Sequence, residues 1–259
     1  MLKFISKPLA FLLTNIICLS AIAQKDIYEI QTYLLKSDRQ IEATDQYLKN
    51  AYLPALHRLG IKHIGVFKPI ANDTASLKKI FVLVTYPSLE NWRKTKLVLQ
   101  QDKQYAEAAR PFTDADTSMI PFVRMESTLL DAFPKHTKLT PPAMDVNSET
   151  VYELRSYENP TEHLHFKKVS MFNQGGETGI FSRLGFNAVF YAEVLSGSHL
   201  PNLMYMIVFK NAGAHDELWK AFRDDPEWKK LSADPNYENP ISVSHIDSIL
   251  MHRTDYSDL

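Results

Sequence analysis

The stretch IYEIQTY at residues 27–33 is written again as VYELRSY at 151–157. Four further features return in the same order. HRLGIKHIGVF at 57–67 is matched by SRLGFNAVFYA at 182–192, and IFVLVTY at 80–86 by LMYMIVF at 203–209. Trp92 in LENWRKT pairs with Trp219 in DELWKAF, and MIPFVRMESTLL at 119–130 with ISVSHIDSILMH at 241–252. A shared order at nearly constant offset marks a duplicated unit, so the fold must be one that half the chain can build beside a copy of itself.

Each copy reads as strand, helix, strand, strand, helix, strand. The first has strands near 27–34, 61–68, 78–86 and 119–129 with helices near 38–58 and 88–109. The second has strands near 150–157, 186–194, 202–209 and 241–251, with helices near 160–184, broken at Gly175-Gly176, and near 212–231. Each Arg-Leu-Gly step ends a helix on a glycine cap, and Pro226 suits the first turn of a short last helix. The β-α-β-β-α-β order predicts an α+β fold, a ferredoxin-like unit with both helices on one face of an antiparallel sheet. The proline-containing segment 133–149 reads as a linker between domains at 24–132 and 150–259. The third strand of each copy is apolar on both sides. Faces carrying Phe81, Leu83 and Thr85, or Leu203, Tyr205 and Ile207, should not stand open to water. The two sheets are therefore expected to face each other as an α/β barrel.

Residues 1–23 differ from the rest. Lys3 and Lys7 precede an apolar run that ends Ala21-Ile22-Ala23, the pattern of a cleaved signal peptide. The expected product is an exported protein, periplasmic or extracellular in a bacterium, with no stable membrane insertion after cleavage. Intact-mass measurement on protein from the native host should give an N-terminus at Gln24, and a cytoplasmic chain retaining Met1 would refute export. Cys18, the one cysteine, lies in this leader, so the mature chain has no thiol chemistry. Losing the two lysines moves the formal net charge from −1 to −3, which gives no basic excess for nucleic acid.

On VYELRSY, Glu153, Arg155 and Tyr157 share one face, and Tyr152 and Leu154 the other. Placing Tyr152 and Leu154 against the helices sends Glu153 and Arg155 between the sheets, where charges need partners. The last strand pairs with the first in this topology, which would set His245 and Asp247 beside them. This cluster supplies the candidate catalytic residues His245, Glu153 and Asp247, with Arg155 and Tyr157 as ligand contacts. The first-copy counterparts Glu29, Gln31, Tyr33 and Arg124 extend the candidate ligand-binding set. The competing reading is that Glu153 and Arg155 serve only each other. No metal motif is present, and no metal or cofactor is expected.

The YELR-type opening strand, the helix–RLG–strand step, the apolar third strand and the AFRDDPEWKK segment together resemble the NIPSNAP family. The resemblance is strongest over 149–252. It is weaker over 26–129, where VLQQDKQYAEAARPF replaces a clear Asp-Pro-x-Trp. It implies tandem ferredoxin-like domains of the dimeric α/β-barrel group. That group includes monooxygenases, chlorite dismutase-like enzymes and decarboxylases, a breadth that does not fix a chemistry. Three readings stay open: an exported protein binding a small organic or anionic molecule between the sheets, a cofactor-light monooxygenase- or isomerase-like enzyme, or an interaction protein with a filled cleft. A homodimer is compatible with each.

Overall fold

The computed structural model describes residues 24–259. The signal peptide expected at 1–23 lies outside the described residues. The first half runs β1 (Ile27–Leu35), α1 (Asp38–Tyr47), a π-helical segment Leu48–Tyr52, α2 (Leu53–Arg58), β2 (Gly65–Pro69), β3 (Lys78–Tyr86), α3 (Leu89–Gln101), α4 (Lys103–Thr113) and β4 (Arg124–Ala132). The second half runs β5 (Val151–Glu158), α5 (Glu162–Asn173), α6 (Glu177–Leu184), β6 (Asn187–Ser196), β7 (Asn202–Phe209), α7 (Ala212–Asp224), α8 (Pro226–Ser232), α9 (Asn239–Ser242) and β8 (His245–Arg253).

Local signals explain the helix ends. The side chains of Ser37, Thr161, Ser88 and Asn211 accept from backbone N–H groups in the first turns of α1, α5, α3 and α7. Gly60 and Gly185 sit at φ +80° and +91°, and the N–H of the next residue reaches back to Leu56 or Phe181. The helix before each glycine is interrupted at the same level, by the π segment in the first half and by Gly175-Gly176 in the second. Gly176 adopts φ +88°, and a Cβ on Gly175 would lie 2.7 Å from the Met171 carbonyl oxygen.

Each half forms the expected four-stranded antiparallel sheet, and the sheets join at both edges. The closed order is β1-β3-β2-β8-β5-β7-β6-β4, with β2 paired to β8 and β4 to β6. Tyr28, Ile30, Phe81 and Leu83 from the first sheet meet Tyr152, Leu154, Met206 and Val208 from the second in one barrel core. The linker side chains Leu139, Met144 and Val146 pack against this core.

The barrel core reverses one expectation. Tyr152 and Leu154 point between the sheets, so Glu153, Arg155 and Tyr157 lie under the helices. Leu203, Tyr205 and Ile207 are likewise on the helix side, packed with Phe181, Trp219 and Phe222. Alternation shows which residues share a face; the layer opposite decides which way that face turns. The space between the sheets takes large apolar side chains from both halves, and the polar faces are left to the helix layer.

Candidate functional site

In the second domain, Glu153 is 0% exposed and both its oxygens are committed. Oε1 accepts from Arg155 Nη1 at 2.6 Å and from Ser248 Oγ at 2.6 Å, and Oε2 accepts from Trp219 Nε1 at 2.7 Å. His215 Nε2 lies 3.4 Å from the same oxygen without forming a hydrogen bond, while its Nδ1 is 2.8 Å from Asp216 Oδ1. The Arg155 guanidinium sits over the rings of Trp219 and Tyr157, 4.5 and 5.4 Å from their centroids. Its Nε–H is buried with no partner, a state that costs about 1–3 kcal/mol in a folded protein.

A second ion pair is buried nearby. Lys168 on α5 is 2% exposed and Glu177, the first residue of α6, is 1% exposed. Lys168 Nζ donates to Glu177 Oε2 at 3.0 Å and to Asn239 Oδ1 at 3.2 Å, with the rings of Tyr157, Phe172 and Trp228 around it. Burial pushes the Glu177 carboxyl above the usual carboxylate range even against the pull of Lys168. The Tyr157 and Tyr205 hydroxyls are hydrogen-bonded at 2.9 Å.

Two adjoining clefts open onto these groups between the sheet and the helix layer. The inner one, about 410 Å³, is lined by Glu153, Arg155, His215, Trp219 and Trp228 among others. The outer one, about 530 Å³, reaches Lys168, Glu177, Asn239 and His245, and Tyr157, Phe222 and Trp228 border both. The AFRDDPEWKK segment builds this wall. The Asp225 carboxylate caps α8 by accepting from the Glu227 and Trp228 N–H groups. Arg183 Nη2 donates to both its oxygens at 2.9 Å. Trp228 is thereby held 4.4 Å from Phe222, centroid to centroid.

The first domain repeats the frame and fills the space. Glu29, in the place of Glu153, accepts from Lys96, Tyr86, Ser127 and Gln31 at 2.9–3.1 Å. Gln31 stands where Arg155 does and donates to Tyr52 Oη at 2.7 Å. Arg58 and Asp102 repeat the Arg183–Asp225 staple at 2.6 Å. Counting from the caps Ser88 and Asn211, Lys96 and not Trp92 occupies the place of Trp219, and Trp92 that of His215. The expected Trp92–Trp219 match is therefore out of step by one turn. Tyr105 takes the position of Trp228 and shares a 2.8 Å hydrogen bond with Tyr47. Helix α4 then continues to Phe112, which stacks on Tyr47 at 4.1 Å and meets Tyr33 edge-on. In the second domain α8 stops at Ser232, and among the described residues none takes the place of Phe112.

Of the candidate residues, the fold brings Glu153, Arg155 and Tyr157 together at the cleft, and Glu29, Gln31 and Tyr33 together in the first-domain core. Arg124 is separated from that group: it lies opposite Leu34 on the other face of the sheet and is exposed. His245 and Asp247 do not stand beside Arg155. The register sets His245 opposite Glu158 and Asp247 opposite Ser156, while Arg155 faces Ser248. His245 reaches the rim of the outer cleft, but its side chain is 58% exposed and its Nε2 is 3.1 Å from Asp247 Oδ1. Glu158, His245 and Asp247 have donor atoms within 4.8 Å of one another on the exposed side. Cleft residues not singled out as candidates from sequence include Lys168, Glu177, His215, Trp219, Trp228 and Ser248. The cap position of Asn211, two turns before Trp219, is the signal that could have found His215 and Trp219.

The NIPSNAP family model matches twice in tandem, at residues 28–134 and 152–258. The chain belongs to the NIPSNAP family. Each NIPSNAP repeat begins in the first strand of its sheet, β1 or β5, and ends beyond the last, β4 or β8. Among solved structures, a proposed monooxygenase from Fusobacterium nucleatum aligns at a TM-score of 0.59 and 8% identity, covering 89% of this chain and 93% of its own. A proposed monooxygenase from Lactobacillus acidophilus aligns at 0.57 and 12% identity, covering 88% and 94%. An anthrone oxidase-like protein aligns at 0.53 and 7% identity, covering 90% and 93%. These likenesses show a shared tandem-barrel fold. No curated protein sequence matches the chain.

Proposed function

We propose that this NIPSNAP protein binds a small aromatic molecule in the second-domain cleft, between sheet and helices. The observation that carries this reading is the divergence of the two halves. The same frame, with the same buried glutamate and the same Arg–Asp staple, is plugged by Phe112 and Tyr47 in one half and open in the other. An aromatic-walled cavity of several hundred Å³ with a few convergent polar groups is the usual form of a small-molecule site. The leader at 1–23 supports placing this activity outside the cytoplasm.

A second reading adds turnover, with the same cleft holding the substrate of an oxygenase- or isomerase-type enzyme. The fold kinship with proposed monooxygenases and an anthrone oxidase-like protein supports it. So does the His215 ring, a proton-transfer group set between Glu153 and Asp216 at the cleft wall.

The test is a thermal-shift screen of small aromatics followed by calorimetry. Hits should raise the melting temperature. Trp228→Ala should weaken them at least about tenfold, the scale of losing one aromatic anchor. Tyr105→Ala, the equivalent change in the plugged first domain, should leave affinity unchanged. Hits that bind Trp228→Ala as tightly as wild type, or an empty screen, would refute the cleft and favour the filled-cleft reading.

A further inference from the structure

We propose that the ligand of the second-domain cleft is an aromatic carboxylate, gripped by the free edge of Arg155. The proposal rests on the binding reading above and adds the chemical class. It follows from counting donors and acceptors. Both Glu153 oxygens already accept hydrogen bonds, from Arg155 Nη1, Ser248 and Trp219. Lys168 is committed to Glu177 and Asn239, and the Tyr157 and Tyr205 hydroxyls to each other. Arg155 is different. Only Nη1 is engaged; Nε is buried and unpartnered, and Nη2 donates to nothing among the described residues. Of these groups, Arg155 has two adjacent donors to spare and calls for an acceptor; His215 Nε2, also buried without a partner, lies in the same wall.

The two spare donors belong together. In a guanidinium the Nε–H and Nη2–H bonds run parallel along one edge of the plane, the spacing that two carboxylate oxygens match. Trp219 and Tyr157 cover the group at 4.5 and 5.4 Å, which limits how far this edge can swing. Glu153 holds the opposite corner. A neutral amide or ketone offers one acceptor oxygen and satisfies half of the edge. The inner cleft wall also carries the rings of Trp219, Phe222 and Trp228 beside the charged side chains of Asp216 and Arg223, and its volume of about 410 Å³ suits a body of one or two rings.

The test is calorimetry on the protein with benzoate, 1-naphthoate, 1-naphthamide and 1-naphthyl phosphate, using wild type and Arg155→Lys. The lysine retains a positive charge for Glu153 and removes the planar edge, so the variant separates ligand recognition from folding. 1-Naphthoate should bind at least about tenfold more tightly than 1-naphthamide. Arg155→Lys should abolish most of that preference while changing amide affinity by less than about threefold. An amide that binds as well as the acid, a preference that survives Arg155→Lys, or a phosphate that outcompetes the carboxylate would each overturn the carboxylate assignment and leave the cleft reading standing. If none of the four compounds binds, both fall.

Discussion

Lys168→Met should destabilise the protein by about 3–5 kcal/mol, because it leaves the Glu177 charge buried without its partner. For a chain of this size that is a fall in melting temperature on the order of 10 °C. Lys168 and Glu177 are almost entirely shielded from water in the folded protein. The double variant Lys168→Met/Glu177→Leu should recover most of the loss, since a buried ion pair replaced by apolar groups is often neutral. Burial raises the folded-state pKa of Glu177. Its neutral form is therefore the one the fold prefers, and the stability linked to that form is present at acid pH and lost as pH rises through the raised value. The Lys168→Met penalty should accordingly be large at neutral pH and shrink on acidification. Urea denaturation of wild type and both variants at two pH values decides it. A single-variant loss below about 1 kcal/mol would show that the pair is not the buried contact described.

Glu29→Leu should cost a similar amount at neutral pH, about 3–5 kcal/mol, and this cost too should shrink on acidification, though here through a carboxyl whose pKa is lowered rather than raised. Tyr86 and Gln31 are buried and would lose their acceptor, while Lys96, a third exposed, can turn toward solvent. Burial alone would raise the Glu29 carboxyl, but Lys96 and hydrogen bonds from Ser127 and Gln31 outweigh it and hold the group below its ordinary value. A depressed pKa gives stability that is present above the unfolded value and lost as pH falls through the folded one. The difference between wild type and Glu29→Leu should therefore narrow as pH is lowered through the carboxylate range. Parallel denaturation curves at acid and neutral pH with an unchanged gap would contradict this account.

The glutamates at these equivalent positions show how far letters alone reach. IYEIQTY and VYELRSY disclose that Glu29 and Glu153 occupy one place in a repeated strand. Alternation then groups Glu153 with Arg155 and Tyr157 and separates them from Tyr152 and Leu154. It carries no sign, however. A strand buried on both sides has apolar residues on both faces, and the direction of the charged face depends on whether the opposite layer can answer it. Here the helix layer holds Trp219, and the neighbouring strand presents Ser248 on the same face, so the charges turn that way. His245 and Asp247 fail as partners of Arg155 for a related reason: pairing of β5 with β8 was legible, but its register was not, and one step places a side chain on the other face.

Short-range physics settled the rest of what could be read. The caps at Ser37, Ser88, Thr161 and Asn211, the glycines after each Arg-Leu, and the period of each apolar run depend on neighbours within a turn or two. The element order and the α+β class follow from them, while the duplication and the family resemblance are carried by whole motifs such as VYELRSY and AFRDDPEWKK. The open cleft does not. It depends on α4 running on to Phe112 while α8 stops at Ser232, and on Tyr47 meeting Phe112 across the first domain with no such pair in the second among the described residues. Contacts between residues far apart in the chain create or abolish a cavity through the volume they occupy together, and that volume is defined only once the helices are laid on the sheet.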